Sequence, residues 1–208
     1  AMTASEAAQQ IDQDAPATPT VLQPAVTALE AEQYSVCVSL AQAHCQHPDL
    51  AVQADAWRLC ALAHARMHHW PQAFDHYHHL FELEPSTLNA LQLATTSVMS
   101  GELTRGEAWF AKAVALNGDT SEMQPAQMRT AYLSALEQAG EFEAAVPHLD
   151  WLAQGYIAMG ITDDHFVWMR GFPFFGEFLD KSRKLLGQVL SESDVRAWYE
   201  RMSERLDE

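Results

Sequence analysis

Trp70-Pro71-Gln72-Ala73-Phe74-Asp75-His76-Tyr77, followed by Leu80 and Pro85, is the stretch that decides the fold. Pro71 sits where a helix can begin, because its missing N–H would be unpaired there anyway. Ala73 follows Trp70 by three positions and Tyr77 follows Ala73 by four, so a small and two bulky side chains share one helical face. The arrangement recurs. Displaced by 33 residues it becomes Leu103, Gly106, Phe110, Ala113 and Gly118. Displaced by a further 39 it becomes Phe142, Ala145, Leu149 and Leu152, with Gly140 preceding as Gly101 does. Upstream by 36, Tyr34, Cys37, Ala41 and His44 fill the same slots. Self-similarity of this kind marks an array of stacked units, each too small to bury its own apolar faces.

From about Pro24 to about Gln154 the chain is rich in Ala, Leu, Gln and Glu, and Ala is the best helix former. Breaks fall at Gln46-His47-Pro48, His69-Trp70-Pro71, Glu84-Pro85-Ser86, Ser100-Gly101, Asn117-Gly118-Asp119 and Ala139-Gly140. Gly118 and Gly140 are expected to stop helices, since a residue just past a helix often needs positive φ. The expectation is at least six helices in antiparallel pairs and no sheet.

The 208 residues, 48% of them hydrophobic, suffice for one sizeable core. With 28 acidic against 12 basic residues, the formal charge of −16 disfavours nucleic-acid binding, which needs clustered Lys and Arg, and docking on anionic membranes. No apolar run approaches the roughly 20 residues of a membrane span. Ala1 ahead of Met2 reads as an expression remnant, and residues 2–20 lack the pattern of a secretory leader. Cys37, Cys45 and Cys60 are odd in number and outside any CxxC spacing, which suits a reducing, cytoplasmic setting. Residues 1–23, with Pro16, Pro19 and no Lys or Arg, read as a flexible acidic tail.

Trp57, Ala61, Ala73, Tyr77 and Pro85 resemble the tetratricopeptide repeat (TPR), a 34-residue pattern of W-x2-L-G-x2-Y followed by small, aromatic and small residues and Pro. Cys60, His64 and Leu80 depart from that pattern. Ala94, Phe110 and Ala113 match in the next copy, where Ala90 replaces Trp, and Leu133, Ala145 and Leu149 match in the copy after. The copy at about 20–48 is weak. The resemblance implies an all-α TPR-type superhelix of antiparallel helical hairpins over residues 24–158, in three to four repeats. Residues 159–208 would be a C-terminal helical cap. There Thr162-Asp163-Asp164 looks like a helix start, Pro173, Phe175, Phe178 and Leu179 form an aromatic-rich run, and Ser191-Glu192-Ser193-Asp194 resembles a capping box before Val195, Trp198, Tyr199 and Met202. The run Phe172–Phe178 reads either as packing under the last repeat or as an exposed patch for a partner.

Six of the ten histidines lie between His64 and His79. His64 and His68 have the i,i+4 spacing of a metal chelate, as do Asp75 and His79. HExxH is absent, and His64 falls in a slot that faces a neighbouring helix, so packing is the preferred reading and neither metal nor cofactor is expected. The phosphate-loop and nucleophile-elbow motifs are absent as well, so no enzyme is expected. Cys37 and Cys60 occupy packing slots, whereas Cys45, near a helix end, is expected to be the most exposed thiol.

In TPR proteins the first helix of each pair lines the concave face. The resemblance places Asp55, Arg58, Leu62, Ala65 and Arg66 there in one copy. It places Leu88, Leu91, Thr95, Val98 and Met99 there in the next, and Gln127, Thr130, Ser134, Glu137 and Gln138 in the last. Leu62 stands where clamps for acidic C-termini carry Asn, and no Lys accompanies it. The groove therefore suits a protein or peptide segment with apolar anchors at Leu88, Leu91, Val98 and Met99, oriented by Arg58 and Arg66. Many small acidic bacterial TPR proteins are secretion chaperones or assembly adaptors, and this chain is similar in size and charge. The rival expectation is a toxin-neutralising or regulatory protein that binds a folded basic surface through its acidic exterior. Salt separates the two, weakening the acidic-face interaction far more.

Overall fold

In a computed structural model the described residues are 18–160 and 162–206, and among them the regular structure is helical with no strand. A 3-10 turn, Thr20–Leu22, leads into α1 (Gln23–Glu30) and α2 (Tyr34–Gln42). There follow α3 (Leu50–Arg66), α4 (Trp70–Leu83), α5 (Thr87–Met99), α6 (Leu103–Thr120), α7 (Pro125–Ala139) and α8 (Phe142–Met159). The last three are α9 (Asp164–Met169), α10 (Phe175–Leu186) and α11 (Glu192–Leu206). α1/α2, α3/α4, α5/α6 and α7/α8 each pack as neighbours, and the two or three residues joining them force an antiparallel course. α5 also packs against α4 and α7, which links the hairpins into an array.

One turn closes all four hairpins. Glu32, His68, Gly101 and Gly140 have φ of 59°, 58°, 80° and 73°. The following N–H reaches back five residues in each case: Gln33 to Ala28 O at 2.8 Å, and His69 to His64 O, Glu102 to Ser97 O and Glu141 to Leu136 O at 2.9 Å. This is the six-to-one bond of a Schellman ending. Glu32 and His68 hold the left-handed conformation without being glycine, at a cost of about 1 kcal/mol each. The turn residues are spaced by 36, 33 and 39, the displacements of the sequence repeat.

The longest spacing has a simple cause. α6 runs 18 residues where α4 runs 14, one extra turn that supplies most of the added length, and α7 runs 15 where α5 runs 13. Gly118 does not stop it, contrary to expectation. The helix continues to Thr120 and ends at Ser121, whose φ is 51°. The buried Asn117 side chain braces the loop beyond, with Nδ2 donating to Met123 O at 2.9 Å and Oδ1 accepting from Met123 N at 2.8 Å.

Cys37, Ala73, Gly106 and Ala145 hold equivalent positions in the second helices, and all are buried. At Gly106 the approach is closest: a Cβ there would lie 2.7 Å from Val98 Cγ2 and 3.1 Å from Ala94 O. Two sequence expectations need correction at the start of the array. Leu22 is fully buried, so packing begins before Pro24 and takes in the end of the expected tail; the tail's residues 1–17 lie outside the described residues. Cys45 is buried with Cys37 and Cys60 in the core shared by α1, α2 and α3. It closes that core from the loop after α2, which a position near a helix end does not reveal.

The C-terminal segment covers α8. Tyr156 meets Phe172, Phe175 and Phe178 at ring separations of 5.1, 5.1 and 4.9 Å, and its hydroxyl donates to Pro173 O. Trp198 Nε1 donates to Asp150 Oδ1 at 2.7 Å, and Trp198 and Met202 are buried. Asp163, not Thr162, caps α9, accepting from Phe166 N at 3.2 Å. Ser191 Oγ accepts from Asp194 N, as the capping-box resemblance implied. Trp168, Met169 and Phe174 stay exposed.

The close approach at Gly106 gives a test. Gly106→Val should lower unfolding stability by about 2 kcal/mol in urea titrations. Gly118→Ala, where an added Cβ meets nothing within 4 Å, should raise it by up to about 1 kcal/mol.

Candidate partner-binding cleft

α5 is enclosed by α4, α6 and α7, and most of its circumference is buried. One narrow stripe stays open at Leu88, Gln92, Thr95 and Met99, the i, i+4, i+7, i+11 positions of a single helical face. α7 repeats it 39 residues on, at Gln127, Ala131, Ser134 and Gln138. On α3 the same register holds Asp55, Leu62 and Arg66, with Leu59 buried. A cleft of about 260 Å³ crosses the three first helices, lined by Ala65, Gln92, Thr95, Thr96, Met99, Ala131, Ser134, Ala135 and Gln138 with Trp70 and Tyr77 of α4.

The structure thus brings together Ala65, Thr95, Met99, Ser134 and Gln138 of the expected groove. Leu91 and Val98 must be corrected: they are 4% and 1% exposed and belong to the main core. They lie one position off the open stripe, and on a helix packed from three sides that offset points a side chain into a neighbour. Gln92 and Ala131 were missed, although their i+3 and i+7 relation to Thr95/Met99 and Ser134/Gln138 was visible in the sequence. Leu88 is 46% exposed at the head of its stripe, where its N–H donates to Glu122 Oε2 at 2.7 Å. Arg58 is tied to Asp55 and Glu84, so its charge is compensated within the chain. Leu62 is half-buried and Arg66 exposed, both outside the cleft lining.

The cap meets the last helix of the cleft. Lys181 Nζ donates to Ser134 Oγ at 3.4 Å, and Lys181 and Lys184 pair with Glu137 at 3.4 and 3.2 Å. Gly171 lies against Gln124 and Gln127. Gln127 and Ser134 are therefore shared with the chain's own C-terminal segment.

The histidines form an aromatic layer between α3 and α4. Trp57 stacks on His79 at 4.2 Å, and His64 lies 4.9 Å from His76 and 5.7 Å from His69 between ring centres. His64 Nδ1 is buried without a partner; burial, then His76 and His69, push its pKa down. Among the described residues, no group of three or more His, Cys, Asp or Glu side chains is placed to hold a metal ion. His148 is buried against the stacked rings of Phe110 and Tyr132, nearly perpendicular to both, with Arg129 Nη1 3.3 Å from Nδ1. That contact requires Nδ1 to accept, so the imidazole is neutral. Burial first, and then the Arg129 charge, push its pKa down to about 4.

No family model matches the chain, and no curated protein or solved structure is significantly similar to it. No helix among the described residues is long and apolar enough to cross a membrane.

His148 fixes a pH dependence. Its folded pKa lies below the unfolded value near 6.5, so the unfolded chain takes up the proton first. The contribution is complete above pH 6.5 and is lost as the pH falls towards 4. Acidification to pH 4.5 should cost about 2 to 3 kcal/mol through this group. Thermal melts of wild type and His148→Gln between pH 7 and 4.5 check this: the variant should lose less stability over that interval.

Proposed function

We propose that the chain is a non-enzymatic TPR-type superhelix that holds an extended segment of a protein partner in the cleft across α3, α5 and α7, as an adaptor or chaperone does. One observation carries this reading. On α5 and α7 the stripes Leu88-Gln92-Thr95-Met99 and Gln127-Ala131-Ser134-Gln138 contain no charged residue, in a chain whose formal charge is −16, and charges in this register occur only on α3, at Asp55 and Arg66. A face turned only to water in so acidic a chain would be expected to share its acids. Gln92, Gln138, Thr95 and Ser134 offer donors and acceptors that suit the main chain of an extended peptide, while Met99 and Trp70 give it apolar contact. The repeated Schellman turns and the small residues between helices support the superhelix, because a constant hairpin geometry stacks with a constant rotation.

A photo-crosslinking residue placed at Gln92 or Ala131 tests the reading in cells of the source organism. One discrete partner adduct is expected from both positions and none from Glu143 on α8. Thr95→Arg, at a partly exposed position of the cleft, should remove the adduct while costing no more than about 1 kcal/mol of stability. Adducts formed only at Glu143 would move the interaction to the acidic exterior.

A further inference from the structure

A second cavity lies beside the extra turn of α6 and adjoins the open stripes at Gln127, which it shares with the α7 stripe. It has a volume of about 670 Å³ and lies where α6 passes to α7, with Val114, Asn117, Met123, Gln127, Arg129 and Trp151 among its lining. A repeat of the length of the preceding one would lack the turn that carries Asn117 and Gly118.

Arg129 is the chemically distinctive group there. Its guanidinium carbon lies 4.8 Å from the Trp151 ring centre and 5.3 Å from that of Phe110. Nη1 is directed to His148, and no ion pair engages Arg129 among the described residues. Partial burial pushes the Arg129 pKa down, and the nearby Glu107 carboxylate, outside ion-pair distance, offsets part of that through space. Glu122, at the lip, accepts the Leu88 N–H with one carboxylate oxygen and faces Arg129's cavity as its one lining acid. A half-buried cation held by aromatic rings, unpaired in a protein with 28 acids, has hydrogen-bonding capacity left over and stands beside an open volume. Guanidinium presents a planar fork that matches a carboxylate, and the interaction strengthens where water is partly excluded. Val114, Met123 and Trp151 give the same cavity apolar walls, and the Gln127 amide adds a neutral donor.

We propose that this cavity binds a carboxylate attached to an apolar group, with Arg129 as the counter-ion and Trp151 as the apolar wall. Two sources present that chemistry: a free organic acid, and the C-terminal residue of a polypeptide.

The test uses the full chain labelled with ¹⁵N in 0.15 M salt, with N-acetyl-phenylalanine as the probe and N-acetyl-phenylalaninamide as its uncharged control. The acid should give saturable shifts at the Trp151 indole N–H and the Arg129 side chain, and the amide should bind at least tenfold more weakly. Arg129→Gln should weaken the acid at least tenfold. Because Arg129 packs on Phe110 and Trp151, Gly118→Asp is the companion variant: its Cβ enters open space, and it adds a second carboxylate to the lip that already carries Glu122. It should keep the wild-type melting temperature and also lose binding at least tenfold. A pentapeptide ending in the same residue separates the sources: tenfold tighter binding than the acetylated amino acid assigns the site to a chain terminus, and equal binding to a free acid. Equal shifts from acid and amide, no saturation up to 20 mM acid, or unchanged binding in folded Gly118→Asp would overturn the proposal.

Discussion

A helical hairpin forms only if its first helix stops abruptly and the chain reverses within two or three residues. In this protein the reversal depends on one hydrogen bond, made four times: an N–H reaching back five residues across a left-handed turn. That bond fixes the register of the two helices as well as their direction. Five residues past each turn come Cys37, Ala73, Gly106 and Ala145; seven before it come Ala25, Ala61, Ala94 and Leu133, all buried. The notional Cβ of Gly106 only 3.1 Å from Ala94 O shows how closely the two helices meet at such a pair. If the turn slipped by one residue, both positions would rotate by about 100° and the paired side chains, small in every case but Leu133, would no longer face each other. The left-handed backbone of Glu32 and His68 is the cost of keeping that register without glycine.

The ends of the array are treated differently. At the C-terminal end, α10 and α11 lie on α8, and Tyr156 gathers three phenylalanines around it. The cap also extends past the end. Lys181 and Lys184 bridge to Ser134 and Glu137 on α7, so part of the last first-helix surface is already engaged by the chain itself. At the other end Val21, Val36 and Leu40 remain exposed. The middle of the array, where α5 is held on three sides, is left as the place where an open stripe meets neither cap nor edge.

The period was legible because turn and small-residue contact must recur together, and both leave marks in the sequence. The spacing of 39 was legible too, but its cause was not. A glycine near the end of a helix is compatible with stopping it or with lying inside it, and only the side chain of Asn117, folded back onto Met123, shows why α6 continues past Gly118. The cleft was half legible. Thr95, Met99 and Ser134 follow from family slots, whereas the exclusion of Leu91 and Val98 follows from how many neighbours surround α5. That is a property of the assembled array, and the apolar character that suggested anchors there is the character of core. Cys45 follows the same logic, because a position near a helix end says nothing about the loop that folds over it.

Electrostatics connects the two surfaces. Several of the few cations are absorbed inside the chain: Arg58 by two acids, Lys181 and Lys184 by Glu137, and Arg105 by the Phe74 ring at 3.7 Å and Ser97 Oγ at 3.0 Å. The exterior field is consequently that of unpaired acids, which repels an acidic partner at long range and is screened beyond about 8 Å at physiological salt. An uncharged stripe within such a field selects for partners through short-range contact and main-chain hydrogen bonds rather than through charge. A carboxylate, by contrast, would have to be held locally by a cation that no acid engages in an ion pair among the described residues and that is partly withdrawn from water. Arg129, lodged between Phe110 and Trp151 with neutral His148 behind it, meets that requirement. The neutrality of His148 matters here: a protonated imidazole would repel the guanidinium, whereas the neutral ring accepts from one of its nitrogens and leaves the remaining donors available to a ligand.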